Sequence, residues 1–231
     1  MKTIGLLGGM SWKSTLEYYR LLNELTKAQL GGLHSAPCAI YSVDFHQIAR
    51  LQGEDKWEDL KKLMIDYAQK IQNCGAQALL ICANTMHKLA EAIQEHITIP
   101  LLHIVDATAQ EIKKCGITKA ALLETRLTME ESFYRERISG QHGIEVLIPP
   151  ENHREMVERI IFGELVVGKM LEESKKTLVK IMAELVHLGA EGIILDCTEI
   201  PLLVKQEDSP VPLFDTMLLH AKAAVQWALS P

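Results

Sequence analysis

The chain has 231 residues, of which 48% are hydrophobic and 23% are charged, and its formal net charge is −6. This composition is typical of a folded protein with a hydrophobic core and does not predict a long disordered segment. An acidic chain offers no net basic surface, so we expect a small-molecule partner, no nucleic acid and no membrane. No apolar run approaches the roughly 18 residues of a membrane span.

The five cysteines are odd in number, widely spaced and never in a Cys-x-x-Cys pair. This pattern predicts neither a disulfide framework nor a zinc site. Thiols that stay free are typical of a reducing compartment, so a cytoplasmic protein is expected.

In the first half of the chain, apolar runs alternate with helical patterns. Residues 11–28, for example, carry Leu16, Tyr19, Leu22 and Leu25 at helical spacing. Strands are predicted at residues 3–7, 38–45 and 78–82. Helices are predicted at residues 11–28, 57–74 and 86–95, with Asn84 and Thr85 capping the last of these.

The second half follows the same plan. Strands are predicted at residues 120–123, at residues 144–148, and in the apolar run that ends at Cys197. Helices are predicted at residues 128–138 and 169–188. Strands that alternate with long helices form parallel sheets with covered faces, so the fold class is α/β.

Two segments of the chain repeat each other. Residues 75–85 and 189–199 both open with Gly-Ala, continue as an apolar run and end in polar residues. Aligning Gly75 with Gly189 places Cys197 opposite Ala83, and Asp196 opposite Cys82. Only the second copy therefore ends in a thiol.

The repeat predicts two pseudo-symmetric domains, each a parallel sheet flanked by helices. We expect the first domain at residues 1–104 and the second at residues 105–211, with a C-terminal helix, 212–231, packing back on the first. Ligands bind at the carboxyl ends of parallel strands, so the active site is expected between the domains. Residues 8–11, 83–85, 125–128 and 197–199 are expected to line it.

Cys197 is the strongest candidate for chemistry, because it precedes a polar turn and a predicted helix start, where free N–H groups would lower the pKa of a thiol. Asn84-Thr85 and Thr198-Glu199 suit either carboxylate binding or plain helix capping. His87 and Glu199 are titratable and either orient a ligand or serve as capping or surface residues.

Other chemistries lack their motifs. Gly5, Gly8 and Gly9 have the spacing G-x-x-G-G, without the third glycine of a dinucleotide-binding turn. There is also no P-loop, no His-Glu-x-x-His and no Gly-x-Ser-x-Gly sequence. We therefore expect no metal and no bound cofactor.

Several of these motifs resemble the aspartate/glutamate racemase family, and the resemblance runs nearly end to end. Residues 31–35, Gly-Gly-Leu-His-Ser, are similar to bacterial broad-specificity amino-acid racemases. The other matching segments are residues 4–12, 84–87, 125–129, 197–200 and 214–216.

The resemblance implies a homodimer that racemises an amino acid without pyridoxal phosphate or another cofactor, using two opposed cysteines. It implies Cys197 as a catalytic acid/base. The implied substrate-binding residues, with Gln52 and Lys169 on weaker local matches, are Met10, Gln52, Ala83, Asn84, Thr85, Thr128, Lys169, Thr198 and Glu199.

This chain departs from the family pattern at three positions. Ala83 stands where the family has its first cysteine, and Cys82, one residue earlier, should face away from the cleft because side chains alternate along a strand. Glu124 and Asp196 stand where glycine is usual. A carboxylate at Glu124 would repel an acidic substrate and raise the pKa of Cys197, whereas Asp196 should face away.

Three hypotheses follow. The first is an isomerase, a racemase of aspartate/glutamate or broader specificity, whose activity is low or one-sided because Ala83 cannot move a proton. The second is a single-cysteine decarboxylase or isomerase of the same superfamily. The third is a non-catalytic, amino-acid-binding relic.

Overall fold

The computed structural model describes residues 1–231, which form two compact units. The first unit contains Met1–His103 and His220–Pro231, and the second unit contains Ile104–Leu219. Both are built from a parallel sheet with flanking helices, so the predicted α/β class is confirmed. None of the helices is both long and apolar enough to cross a membrane.

The sheet of the first unit has three strands in the order β2-β1-β3, all parallel. They are β1 (Ile4–Gly8), β2 (Cys38–Ser42) and β3 (Ala78–Ile81). All three predicted strands are present, with ends shifted by a few residues. Beyond β3, Leu101 forms a parallel bridge with Leu79 and extends the sheet.

Helices connect these strands. In chain order they are α1 (Trp12–Leu30), α2 (Phe45–Gly53), α3 (Trp57–Asn73), a 3₁₀ helix (Thr85–Leu89) and α4 (Ala90–Gln94). The predicted continuous helix 86–95 is therefore two short helices. Helix α2 was not predicted, although Asp44 caps it by accepting a hydrogen bond from the backbone of His46 at 3.1 Å.

The face that α1 buries differs from the apolar stripe in its sequence. Thr15, Tyr18, Leu22 and Thr26 are buried, whereas Leu16 is 58% exposed and Tyr19 is also exposed. The hydroxyl of the buried Thr15 accepts a hydrogen bond from the backbone N–H of Gly9 at 2.8 Å. The start of α1 is thus fixed to the end of β1 by a polar contact.

The sheet of the second unit has four parallel strands in the order β5-β4-β6-β7. They are β4 (Lys119–Leu123), β5 (Glu145–Leu147), β6 (Gly192–Leu195) and β7 (Leu213–Asp215). The predicted helix 212–231 is wrong at its start, because β7 occupies residues 213–215 and pairs with β6.

The remaining helices follow in chain order. They are α5 (Ile104–Lys114), α6 (Arg126–Glu130), α7 (Ser132–His142), α8 (Glu151–Ile160), a π turn (Ile161–Leu165), α9 (Glu172–His187), α10 (Ile200–Leu203), a 3₁₀ turn (Gln206–Asp208) and α11 (Thr216–Leu229). The predicted single helix 128–138 is divided at Glu131, whose backbone is extended. The predicted long helix 169–188 begins later, at Glu172.

The structure pairs the two repeated segments as the sequence does. Strand β3 (Ala78–Ile81) corresponds to β6 (Gly192–Leu195), so Ala83 and Cys197 occupy equivalent positions. In the first unit the Cys82 N–H donates to the Leu7 carbonyl at 2.9 Å, and in the second the Asp196 N–H donates to the Leu123 carbonyl at 3.0 Å.

Each unit has its own hydrophobic core beneath its sheet. Cys82 and Cys197 are buried, whereas Cys74 and Cys115 are exposed. The burial of a thiol therefore varies sharply along this chain.

Candidate active site

The polar residues that follow β4 and β6 form what we call the second tip, residues 124–128 and 196–199. These two strands pair in register, with Leu123 beside Leu195, so the residues that follow them lie close together. Cys197 comes two residues after β6 and just before α10, which starts at Ile200. It is 6% exposed.

The Cys197 thiol is hydrogen-bonded to a carboxylate. Its Sγ donates to Oε2 of Glu199 at 3.3 Å. The Thr198 hydroxyl donates to the same Glu199 oxygen. Glu199 is thereby held as an acceptor for the thiol proton.

The pKa of Cys197 is raised well above its ordinary value, so the expectation of a lowered pKa was wrong. Burial is the largest cause, and the charges of Glu124 and Glu199 add to it. The backbone hydrogen bond from Glu199 acts in the opposite direction but is weaker. Helix α10 has only four residues and supplies little dipole to a thiolate.

Glu124 lies directly after β4 and is 6% exposed. Its carboxylate accepts hydrogen bonds from the backbone and the hydroxyl of Thr125, and from the Thr128 hydroxyl. Burial nevertheless raises its pKa, and Glu199 contributes in the same direction. The expectation that Glu124 raises the pKa of Cys197 is confirmed.

Asp196 adds a further carboxyl group in the same unit. It is fully buried, and its pKa is raised well above the ordinary value by burial and by the charge of Glu124. Thr216 and Tyr134 lower it, but by less. Asp196 and Glu124 therefore oppose each other's ionisation.

The arginine of α6 does not neutralise this acidic tip. Arg126 donates from Nε to Glu130 at 2.7 Å, and its other nitrogens lie 3.6 Å from Glu151 and 3.8 Å from Glu155. Three surface carboxylates thus hold its guanidinium.

The end of β1 and the residues that follow β1 and β3 in the first unit form the first tip, residues 8–11 and 83–87. Ala83 is half-buried and packs on the core of this unit. Asn84 precedes the 3₁₀ helix but has helical backbone angles and makes no capping hydrogen bond with its side chain, so the predicted cap is not formed.

Cys82 lies inside the first unit. It is 1% exposed, and burial raises the pKa of its thiol. The residue that follows Cys82 at the position equivalent to Cys197 is Ala83, which has no titratable group.

His87 is tied to Ala83 by a hydrogen bond between its Nδ1 and the Ala83 carbonyl, at 3.1 Å. A carbonyl only accepts, so Nδ1 carries the hydrogen. The ring lies against two other imidazoles, His103 at 4.7 Å and His220 at 5.7 Å between centroids. Burial and these two rings lower the pKa of His87 well below its ordinary value.

His220 is held in one tautomer. Its Nε2 lies 2.7 Å from the Leu102 carbonyl and therefore donates, so the neutral ring accepts the Tyr18 hydroxyl at Nδ1, at 2.8 Å. Sequence reasoning missed His103 and His220. A signal existed for His103, which ends the run Pro-Leu-Leu-His at residues 100–103, similar to Pro-Leu-Phe-Asp at residues 212–215. No signal existed for His220 on α11.

Four other predicted contact residues have different surroundings. Met10 is buried after β1 and Thr128 is buried in α6. Gln52 is half-buried in the last turn of α2, and Lys169 is exposed after the π turn. Their roles in binding stay predictions. No group of three or more His, Cys, Asp or Glu side chains is arranged to hold a metal ion.

Comparison with known proteins gives consistent matches. The family profile described as Asp/Glu/Hydantoin racemase matches residues 7–224. The broad specificity amino-acid racemase RacX of Bacillus subtilis (strain 168) is 26% identical over 237 residues, which cover 98% of each chain.

Two crystal structures match over the whole of both chains. One is of a candidate Asp/Glu racemase from Yersinia pestis, with 49% identity and a TM-score of 0.96. The other is of an aspartate racemase homologue from Pyrococcus horikoshii OT3, with 35% identity and a TM-score of 0.90.

Proposed function

Because the chain belongs to the Asp/Glu/hydantoin racemase family, we propose that it is a cofactor-independent amino-acid racemase in which Cys197 is the acid/base. The single observation that carries this proposal is the thiol of Cys197, at the end of β6, hydrogen-bonded to Glu199 at 3.3 Å. Aspartate and glutamate are the substrates that the family name suggests.

In the proposed reaction, the Glu199 carboxylate takes the proton of Cys197 and leaves a thiolate. The thiolate then removes the α-proton of the bound amino acid, which forms a carbanion and regenerates the thiol. Reprotonation from the same side returns the starting enantiomer. Reprotonation from the other side gives the opposite enantiomer and needs a second proton donor.

Ala83, the equivalent of Cys197 in the first unit, cannot supply that donor. Loss of one acid/base group typically slows a reaction by about 10²–10⁴-fold. We therefore propose that racemisation is slow or one-sided, with α-proton exchange on one enantiomer faster than conversion between the two.

A second candidate function is a single-cysteine decarboxylase or isomerase. It is favoured by the burial and the neighbouring carboxylates that raise the pKa of Cys197. A thiol that stays protonated is suited to donate a proton to a carbanion formed by loss of CO₂. In that reaction no base is needed at Ala83.

The decisive measurement is α-proton exchange in D₂O, followed by ¹H NMR for the L and D forms of aspartate, glutamate and alanine. We expect exchange from one enantiomer to predominate. Cys197→Ser should lose it by at least about 10²-fold, whereas Cys115→Ser, which removes an exposed thiol, should keep it. Equal exchange from both enantiomers would contradict a one-sided enzyme.

Ala83→Cys is the complementary variant. A restored thiol should raise the rate of interconversion by about 10²-fold or more if the rest of the site is competent. A variant that still binds amino acids but shows no gain would favour the relic, and CO₂ release from a substituted malonate would favour the decarboxylase.

We also propose that the protein is a cytoplasmic homodimer. The five unpaired cysteines support a reducing compartment. An exposed apolar stripe on α1, formed by Trp12, Leu16 and Tyr19, supports self-association. Analytical ultracentrifugation of wild type and Leu16→Glu tests the dimer, which the variant should weaken.

A further inference from the structure

Glu124 occupies a position that is glycine in the other copy of the fold. The backbone carbonyls of Leu7 and Leu123 make equivalent hydrogen bonds to Cys82 and Asp196, so the residue after each of them, Gly8 or Glu124, is equivalent too. At Gly8 a Cβ atom would lie 2.4 Å from the side chain of Thr15. The first unit thus has no room for a side chain where the second holds a carboxylate.

The hydroxyl donors of the second tip are directed at the protein's own carboxylates. Thr125 and Thr128 hydrogen-bond to Glu124, and Thr198 hydrogen-bonds to Glu199. These threonines are the donors that would otherwise suit a bound carboxylate. The tip therefore presents mainly acceptors to a ligand.

The arginine of the second tip is also paired with carboxylates outside the tip. Arg126, the basic residue of α6, is engaged by Glu130, Glu151 and Glu155 on the surface. Glu124 and Glu199 lie close enough to Cys197 for both charges to raise the pKa of its thiol. An ammonium group is attracted to such a tip, and a second carboxylate is repelled.

We propose that Glu124 is a specificity-determining residue. Its charge makes the second tip disfavour amino acids with a side-chain carboxylate and favour those with a neutral or cationic side chain. This inference rests on the proposed function, since it names the substrate class of the same site. Glu124 acts through its charge and is not a catalytic residue.

The charge of Glu124 makes the discrimination depend on pH. Its pKa is raised by burial and by Glu199, and its own charge raises the pKa values of Asp196 and Cys197. Protonation of Glu124 removes the repulsion. Discrimination against aspartate should therefore weaken as the pH falls through the pKa of Glu124 and strengthen as the pH rises.

The test compares α-proton exchange of aspartate, alanine and lysine by wild type, Glu124→Gln, Glu124→Gly and Glu145→Gln. The control residue, Glu145, begins β5 at the opposite end of the sheet and pairs with Lys119 at 2.9 Å. We expect wild type to favour alanine and lysine. Both Glu124 variants should raise the kcat/KM ratio of aspartate to alanine about tenfold, and Glu145→Gln should leave it unchanged.

A wild type that prefers aspartate, or a ratio that neither Glu124 variant alters, would overturn the inference while leaving the racemase intact. If wild type exchanges no amino acid, the racemase proposal fails, and calorimetric binding of aspartate and alanine decides the inference by itself. Tighter aspartate binding to Glu124→Gln would support it. Unchanged or absent aspartate binding would overturn it.

Discussion

The first and second tips occupy the same place in two copies of one fold, yet their titratable groups are opposite in kind. The first tip contains the buried imidazole of His87, against which the buried rings of His103 and His220 pack. In the second, Cys197 is surrounded by carboxyl groups. The backbone hydrogen bonds of Cys82 and Asp196 are equivalent, so the two tips share this part of the scaffold and differ in their side chains.

The backbone of each unit determines the position of a titratable group, whereas the residues around the group determine its protonation state. Burial lowers the pKa of His87 and raises that of Asp196, because in both cases it disfavours the charged form. Both groups are therefore neutral over a wider pH range than in water. Their effects on stability should have opposite pH dependences.

The largest expected effect comes from Gly8. We expect Gly8→Ala to lower the free energy of unfolding by up to about 3 kcal/mol, because the new Cβ would overlap Thr15, which is held by its hydrogen bond to Gly9. Urea denaturation followed by circular dichroism measures this. The result would show why only the second unit carries a side chain at this position.

The matched control is Gly53→Ala, where a Cβ would meet no atom within 4 Å. Alanine at this helical position should leave stability unchanged or raise it by up to about 1 kcal/mol. If Gly8→Ala were equally harmless, the steric distinction between the two tips would be wrong.

The next effect is acid destabilisation through His87. Its folded pKa lies below the ordinary value of about 6.5, so the unfolded chain takes up the proton first. Stability from the neutral ring is full above that value and falls by up to about 1.4 kcal/mol per pH unit below it. Denaturation between pH 8 and pH 5 should show this slope.

His87→Asn, which keeps a donor near Nδ1, should flatten the slope. The exposed His34 provides the control, and His34→Asn should leave the slope as in wild type. An equal slope in wild type and His87→Asn would mean that other groups carry the acid sensitivity.

The smallest effect has the opposite sign. Asp196 has a raised folded pKa, so its neutral form stabilises the fold at low pH, and this contribution is lost as the pH rises through the folded pKa. Asp196→Asn should therefore be more stable than wild type at pH 8, by about 1 kcal/mol, with the gain shrinking towards pH 4. Thermal unfolding at both pH values measures it, with the exposed Asp59→Asn as control.

Much of the fold could be predicted because buried parallel strands are continuous apolar runs. The pattern located β1, β3, β4 and β6 to within a residue or two. Residues 213–215 were missed as β7 because a three-residue strand next to a helix has too short a pattern. Helix α2, of nine residues, was missed for the same reason.

Only part of the candidate site could be predicted from the sequence. The repeat identified Ala83 and Cys197 as equivalent. The carboxylate of Glu124 indicated that the pKa of the Cys197 thiol would be raised. The expected lowering by a helix N-terminus failed because α10 is one turn long and the thiol is buried. His220 was out of reach, because α11 returns from the end of the chain to meet residues near its beginning.

The sulfur atoms of Cys74 and Cys115 are exposed, which affects the interpretation of thiol-labelling experiments. Alkylating and mercurial reagents should modify these two sites at neutral pH long before they reach Cys197, whose sulfur is buried and whose thiol pKa is raised. Loss of activity after such treatment would report surface modification. A variant with both Cys74→Ser and Cys115→Ser is therefore needed to detect modification of Cys197 and its protection by an inhibitor.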